Sequence, residues 1–143
     1  MLTTPADSWF SKCVRERAGW RCESCGKQYN EGDAGLHCSH FIGRGNWAVR
    51  FEPLNAFAHC FGCHMKFEGN PDLFTDWAEL RIRDRGVRFE ILRELANDIM
   101  RGKEYRRTKG KGQIAAHYKK EYEAMKAQRA EGVRGRIEFV GWL

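Results

Sequence analysis

Two Cys-x-x-Cys pairs, Cys22/Cys25 and Cys60/Cys63, constrain this chain more than any other feature. Each pair delivers two thiolates from one tight turn, and two such turns complete the four-sulfur tetrahedron that zinc prefers. That spacing suits a structural Zn2+ far better than a disulfide framework. A site with four thiolates has no open position, so it holds structure and does no chemistry. The other cysteines fall outside the pairs. Cys13 fits the apolar face of a first helix, and Cys38 fits a strand core.

The segment between the knuckles is too short to bury much core, and a zinc clip would hold its ends together. The whole chain has 143 residues, 42% hydrophobic and 13% aromatic, which fits a folded protein rather than a disordered one. Net charge is +6, which makes a polyanion a plausible partner without identifying one. The sequence shows no membrane-spanning apolar run and no signal-peptide pattern near Met1-Leu2-Thr3. Paired cysteines of this kind and a chain without a membrane partner point to a reducing cytoplasm.

Asp7 is the expected N-cap of a helix running to about Ala18, with Gly19 as its stop. Residues 27–35 read as a loop, 36–42 as a strand, and 47–51 as a second strand stopped by Glu52-Pro53. Leu54–His59 leads into the second knuckle, and a short helix carries His64. Pro71 opens a helix with Leu73, Trp77 and Leu80 on one face. A further helix carries Phe89, Leu92, Ala96 and Ile99 and stops near Gly102. Residues 102–112 read as a mobile basic loop, and Ile114, Tyr118, Tyr122 and Met125 define a helix of about 18 residues. The tail from Arg136 to Leu143 reads as a late strand or a partner-docking arm. The expected class is α+β: a ββα unit with a four-cysteine zinc site, flanked by an N-terminal helix and C-terminal helices. The division expected is a zinc-clamped core over 1–70 and a helical extension over 71–143.

Between and beside the knuckles stand His37, His40, Asn55 and His64. The run His37-Cys38-Ser39-His40-Phe41-Ile42-Gly43-Arg44, then Arg50-Phe51, Asn55, Cys60-x-x-Cys63 and Gly69-Asn70, resembles the HNH (His-Me finger) endonucleases. Within that superfamily it is most similar to phage recombination endonucleases of the NinG/Rap type. It also resembles phage endonuclease VII in its four cysteines. The likeness covers about residues 9–74 and weakens beyond them.

The resemblance implies a metal-dependent DNA endonuclease acting on branched recombination intermediates such as D-loops or Holliday junctions. His40 would be the general base, a role that suits an imidazole near neutral pH. Asn55 would hold the His40 loop and ring. His64 would bind a catalytic Mg2+ or Mn2+ at the scissile phosphate. Many such enzymes carry the second metal ligand directly before the base, and here that position is Ser39. The resemblance shifts the role to His37, which in a regular strand points away from His40, so a bend at Cys38-Ser39 is needed. Ser39 or Cys38 could serve instead, or His64 could stand alone.

Arg44, Arg50, Arg106, Arg107, Lys109 and Lys111 are candidate phosphate contacts, the first two by nearness to His40. The run around 101–111 could equally be a solvated face. His59 and His117 read as ordinary core or surface histidines. Such enzymes often pair to cut two strands, so a homodimer is possible, and a phage-encoded chain would act in the host cytoplasm. Two other functions fit the same residues. One is a non-catalytic zinc module binding DNA or a protein. The other is an HNH homing, restriction or nicking enzyme acting on ordinary duplex.

Overall fold

The computed structural model describes residues 2–143. It is an α+β fold of six helices and a two-stranded antiparallel sheet. Helix α1 spans Pro5–Arg17. Its N-cap is Thr4 rather than Asp7: the Thr4 hydroxyl accepts from the Asp7 N–H, and the Asp7 carboxylate takes the Thr4 N–H at 2.8 Å. This capping box places Asp7 one turn inside the helix, with Pro5 at the first position where a missing N–H costs nothing. The turn after α1 uses two consecutive left-handed residues, Gly19 (φ 64°) and Trp20 (φ 60°), and leads into the first knuckle.

Strands β1 (Leu36–His40) and β2 (Ala56–Cys60) pair in unbroken register from Leu36↔Cys60 to His40↔Ala56. A lone two-stranded ribbon is marginal in water, so helices must cover it. All of β2 is buried. Cys38 and His40 face α1, where the Phe10 ring lies 5.8 Å from the His40 ring. His37 and His59 face α2 (Phe61–Glu68), the helix that follows β2 without a loop.

The expected strand over 47–51 is absent. Successive turns close instead, with Val49 N–H on the Asn46 carbonyl, Glu52 N–H on Val49 and Asn55 N–H on Glu52. Residues 48–51 are all buried, so the in-out alternation a strand needs does not exist there. The second strand lies later, at 56–60.

Helix α3 (Pro71–Asp84) buries Phe74, Ala78 and Ile82. Leu73 and Leu80, expected inside, are 40% and 65% exposed, because the adjacent i, i+4, i+8 row faces the core. The single helix expected over 89–102 is two. Helix α4 (Glu90–Ala96) stops at Asn97, and Asp98 caps α5 (Ile99–Thr108) by accepting the Arg101 N–H. Ile99 therefore opens a new helix and is 72% exposed. The segment expected as a mobile basic loop is mostly α5, and only residues 109–112 connect it to α6 (Gln113–Ala130).

One core joins α1, α5, α6 and the tail: Phe10, Cys13 and Val14 meet Tyr105, Ile114, Tyr118 and Met125. It crosses the boundary expected at residue 70. The tail is neither a strand nor a free arm: Ile137 and Phe139 are buried in that core, and the Trp142 ring packs 5.2 Å from Tyr105. A second core joins Val49 and Phe57 to α2, α3 and α4, and a third lies around Trp20, Leu36 and Ala58 beside the knuckles. No helix among the described residues is long and apolar enough to cross a membrane.

Candidate metal centre and groove

The two knuckles meet. The sulfurs of Cys22, Cys25, Cys60 and Cys63 all lie within 4.8 Å of one another. The Cys25 and Cys60 sulfurs are 3.7 Å apart. A tetrahedron with Zn–S bonds of about 2.3 Å requires sulfur separations of roughly 3.8 Å, so the cluster matches zinc in donor type and size. Each knuckle also aims a backbone N–H at its own first sulfur, Cys25 N–H on Cys22 and Cys63 N–H on Cys60. Cys60 is at once the last residue of β2, the N-cap of α2 and a sulfur donor. The four cysteines are thus positioned to bind one metal ion, as a structural zinc requires. Among the described residues no other group of three or more metal-ligating side chains comes together in this way.

One turn into α2, His64 turns back toward β1. Its Nδ1 lies 3.0 Å from Nδ1 of His37. The pairing needs no bend at Cys38-Ser39, because α2 packs on the face of β1 that carries residue 37. What the regular strand does separate is His37 from His40, which leaves the opposite face. Burial, followed by the neighbouring His37, lowers the pKa of His64 and favours its neutral, ligand-competent form. Two nitrogens about 2.1 Å from one ion, at right angles, stand about 3.0 Å apart, so the pair has the spacing of adjacent ligands as well as that of a hydrogen bond.

His40 ends β1. Its Nε2 is 2.9 Å from the Arg50 carbonyl oxygen. A carbonyl can only accept, so Nε2 carries the proton and Nδ1 carries the lone pair. Burial pushes the His40 pKa down to about 4, offset only in part by that bond, so the ring is neutral at ordinary pH. A groove of about 600 Å3 runs past the strand end, lined by Ser39, His40, His64 and Glu68 among others. The Ser39 hydroxyl is buried and makes no hydrogen bond.

Asn55 makes its side-chain hydrogen bonds to backbone groups rather than to the His40 ring. It is fully buried and ties down the excursion between the strands. Its Nδ2 donates to the carbonyls of Ile42 (2.8 Å) and Val49 (3.0 Å), and its Oδ1 accepts the Ile42 N–H at 2.7 Å. The Val49 carbonyl is one residue from the carbonyl that holds His40. Asn55 therefore holds the excursion that carries the Arg50 carbonyl.

Arg50 is buried, and Nε and Nη2 make a fork on Asp7 at 3.0 and 2.7 Å. Its guanidinium faces Asp7 and the Trp47 ring rather than solvent. Arg44 lies 3.8 Å from the same carboxylate, with its side chain 29% exposed. Burial alone would raise the pKa of Asp7, but the bonds from Arg50 and Thr4 outweigh it and hold the carboxylate below its usual range. Arg106 and Arg107 are exposed on α5, the latter paired with Glu104. Lys109 reaches over the Trp47 ring at 5.4 Å, which brings the end of α5 beside the loop that carries Arg44 and Arg50, while Lys111 lies in the connector to α6. His117 sits on α6 with Nε2 2.7 Å from the Val140 carbonyl.

Two residues of this region go beyond what the sequence predicts. Asp7, the expected cap, also forks with Arg50, and Thr4-x-x-Asp7 carries the spacing of a capping box. Glu68 follows His64 by four positions, the spacing that puts both on one helix face. No protein-family model matches the chain, and comparison with curated proteins and with solved structures finds no significant match.

Proposed function

We propose that the chain is a metal-dependent DNA endonuclease of the HNH type, acting on branched recombination intermediates, with β1, β2 and α2 as its ββα-metal core. The observation that carries this reading is His40. Its ring is pinned by Nε2 to a backbone carbonyl, is neutral, and stands in a groove shared with His64. A structural zinc needs neither that groove nor the His37–His64 pair.

His64, which lines the groove of His40, would hold the catalytic Mg2+ or Mn2+, with His37 beside it and Glu68 on the same helix face able to add donors from the α2 side. Such an ion supplies charge to stabilise the attacked phosphate and the departing oxygen. His40 Nδ1 takes a proton from a water molecule, whose oxygen bonds to phosphorus as the bond to the 3′ oxygen breaks. The departing oxygen gains a proton from solvent, leaving 3′-hydroxyl and 5′-phosphate ends. His40 stays oriented through the exchange because the Arg50 carbonyl accepts from Nε2 throughout. Asn55 fixes the excursion that bears this carbonyl, and the Asp7–Arg50 fork anchors its far end to α1.

The test is cleavage of branched and linear DNA with Mg2+ or Mn2+, by wild type and by His40→Ala. The variant is expected to lose on the order of 10²–10⁴-fold in rate, the usual worth of a general base. Equal cutting by both, or cutting by neither, sinks the mechanism. Binding without cutting would favour the non-catalytic zinc module, which the cysteine cluster alone also fits. Equal use of linear duplex would favour a homing, restriction or nicking enzyme.

A further inference from the structure

A cavity of about 890 Å3 lies apart from the groove of His40 and shares no lining residue with it. It lies where the C-terminal ends of α1 and α6, the first knuckle, α3 and the start of the tail converge. Seven cationic side chains line it against three carboxylates, Glu16, Glu23 and Glu31. All three carboxylates are already engaged within the fold. Glu16 accepts from Trp20 and meets Arg129 at 3.6 Å, Glu23 meets Arg85 at 3.2 Å and Arg136 at 3.1 Å, and Glu31 meets Lys126 at 2.6 Å.

These ion pairs explain Lys126, Arg129 and Arg136 as structural. Arg17 is fully buried and donates to the Pro53 and Ala56 carbonyls, so it too belongs to the fold. That leaves Arg21, Arg81 and Arg134, none of which has a carboxylate in salt-bridge range among the described residues. Arg21 donates to the Gly26 carbonyl at 2.8 Å, Arg134 reaches the carbonyls of Arg129 and Val133 at 3.4 Å, and Arg81 lies over the Trp77 ring. Arg21 and Arg134 are exposed and Arg81 is half-buried. Three guanidiniums thus line one cleft with their charge unneutralised by protein, in a space far larger than a single phosphate fills.

We infer that this cleft binds the sugar–phosphate backbone of a nucleic acid, as a second contact surface separate from the hydrolytic groove. Guanidinium forks match phosphate oxygens, and three such groups from the first knuckle, α3 and the tail suit more than one phosphate. The identity of the ligand rests on the nuclease reading, whereas the unneutralised charge does not. The cleft is also fixed relative to the groove. Cys22 and Cys25 line the cleft, and Cys60 and Cys63 lead directly to His64, so the four-sulfur cluster ties the two surfaces to one support.

The test uses the full zinc-loaded chain without an activating divalent ion, and measures anisotropy of a fluorescein-labelled DNA duplex over a series of salt concentrations. Arg21→Gln/Arg81→Gln/Arg134→Gln is compared with wild type. Arg21→Gln/Arg134→Gln spares the Trp77 contact and serves as the variant least able to disturb folding. Each lost phosphate contact should lower the slope of log affinity against log salt by about one, so the triple variant should lose about three and bind on the order of tenfold more weakly. Unchanged slopes in both variants overturn the inference. Equal, equally salt-dependent binding of polyglutamate overturns the choice of nucleic acid. Because the readout is binding, the two readings fail separately. Wild-type cutting with unchanged slopes removes the cleft and keeps the nuclease, and a cleft-dependent slope with cutting indifferent to His40→Ala does the reverse.

Discussion

Removing the carboxamide of the fully buried Asn55 strips three hydrogen bonds and takes the Ile42 carbonyl and N–H from their side-chain partner, while the Val49 carbonyl keeps only the Glu52 N–H. Asn55→Ala should therefore lose roughly 3 kcal/mol of stability. Urea titration checks this, and a loss near zero would mean that the excursion holds itself. Asn55→Asp should fare no better, since a carboxylate cannot donate to the Ile42 and Val49 carbonyls. His40 carries a pH signature. Its ordinary value of 6.5 falls to about 4 in the fold, because burial disfavours the charged ring. As pH drops, the unfolded chain takes the proton first. The stability that neutral His40 supplies is complete above about pH 6.5 and is lost as pH falls toward 4, up to roughly 3 kcal/mol in all. His59, also lowered to about 4 by burial, titrates in the same window, so the informative quantity is the stability difference between wild type and His40→Gln. That difference should shift in favour of the variant as pH falls through this range. At this scale the four paired cysteines were legible because local spacing exposes them. The Asp7–Arg50 fork was not, because its members lie 43 residues apart and meet only through the packing of α1 on the excursion.

Elements were legible where one face had to be apolar and the caps were local. The 18 residues of α6 emerge from Ile114, Tyr118 and Met125. The strand expected over 47–51 fails because Val49 and Phe51 are apolar for the sake of two different cores, one on each side of the excursion. The basic segment looked like a loop because of its glycines. Gly102, however, sits inside α5 against Ala48, and only Gly110 and Gly112 take left-handed backbone at the helix end. The element most dependent on its cap is α2, which begins on a metal-donor sulfur. Cys60→Ser should abolish tight metal uptake and melt β2 and α2 together, visible as lost helical circular dichroism. Wild type should carry about one zinc per chain that resists mild chelation. A Cys60→Ser chain that kept both its metal and its helices would show that the cluster is not a zinc clip.

The whole molecule is held by the tail as well as by the sulfur cluster. Phe139 is 6% exposed and Ile137 is 4% exposed. Phe139→Ala should cost about 3 kcal/mol, within the usual range for emptying a buried aromatic site. A denaturant midpoint that did not move would restore the tail as a free arm. The tail was ambiguous in sequence because an apolar-alternating segment fits a strand, an arm or an internal brace equally well, and only the position of α6 decides among them. The same wrapping sets an order of events on a chain that emerges from the ribosome residue by residue. Cys25 and Cys60 close a loop of 35 positions, whereas Cys13 meets the Tyr118 carbonyl across 105. The short loop is the less costly to close and its members are available sooner. Metal capture can therefore precede burial of the apolar face of α1, which waits exposed until α6 has been made. The nascent chain would spend that interval as a clipped sheet with an unsheltered helix, the state most in need of a chaperone.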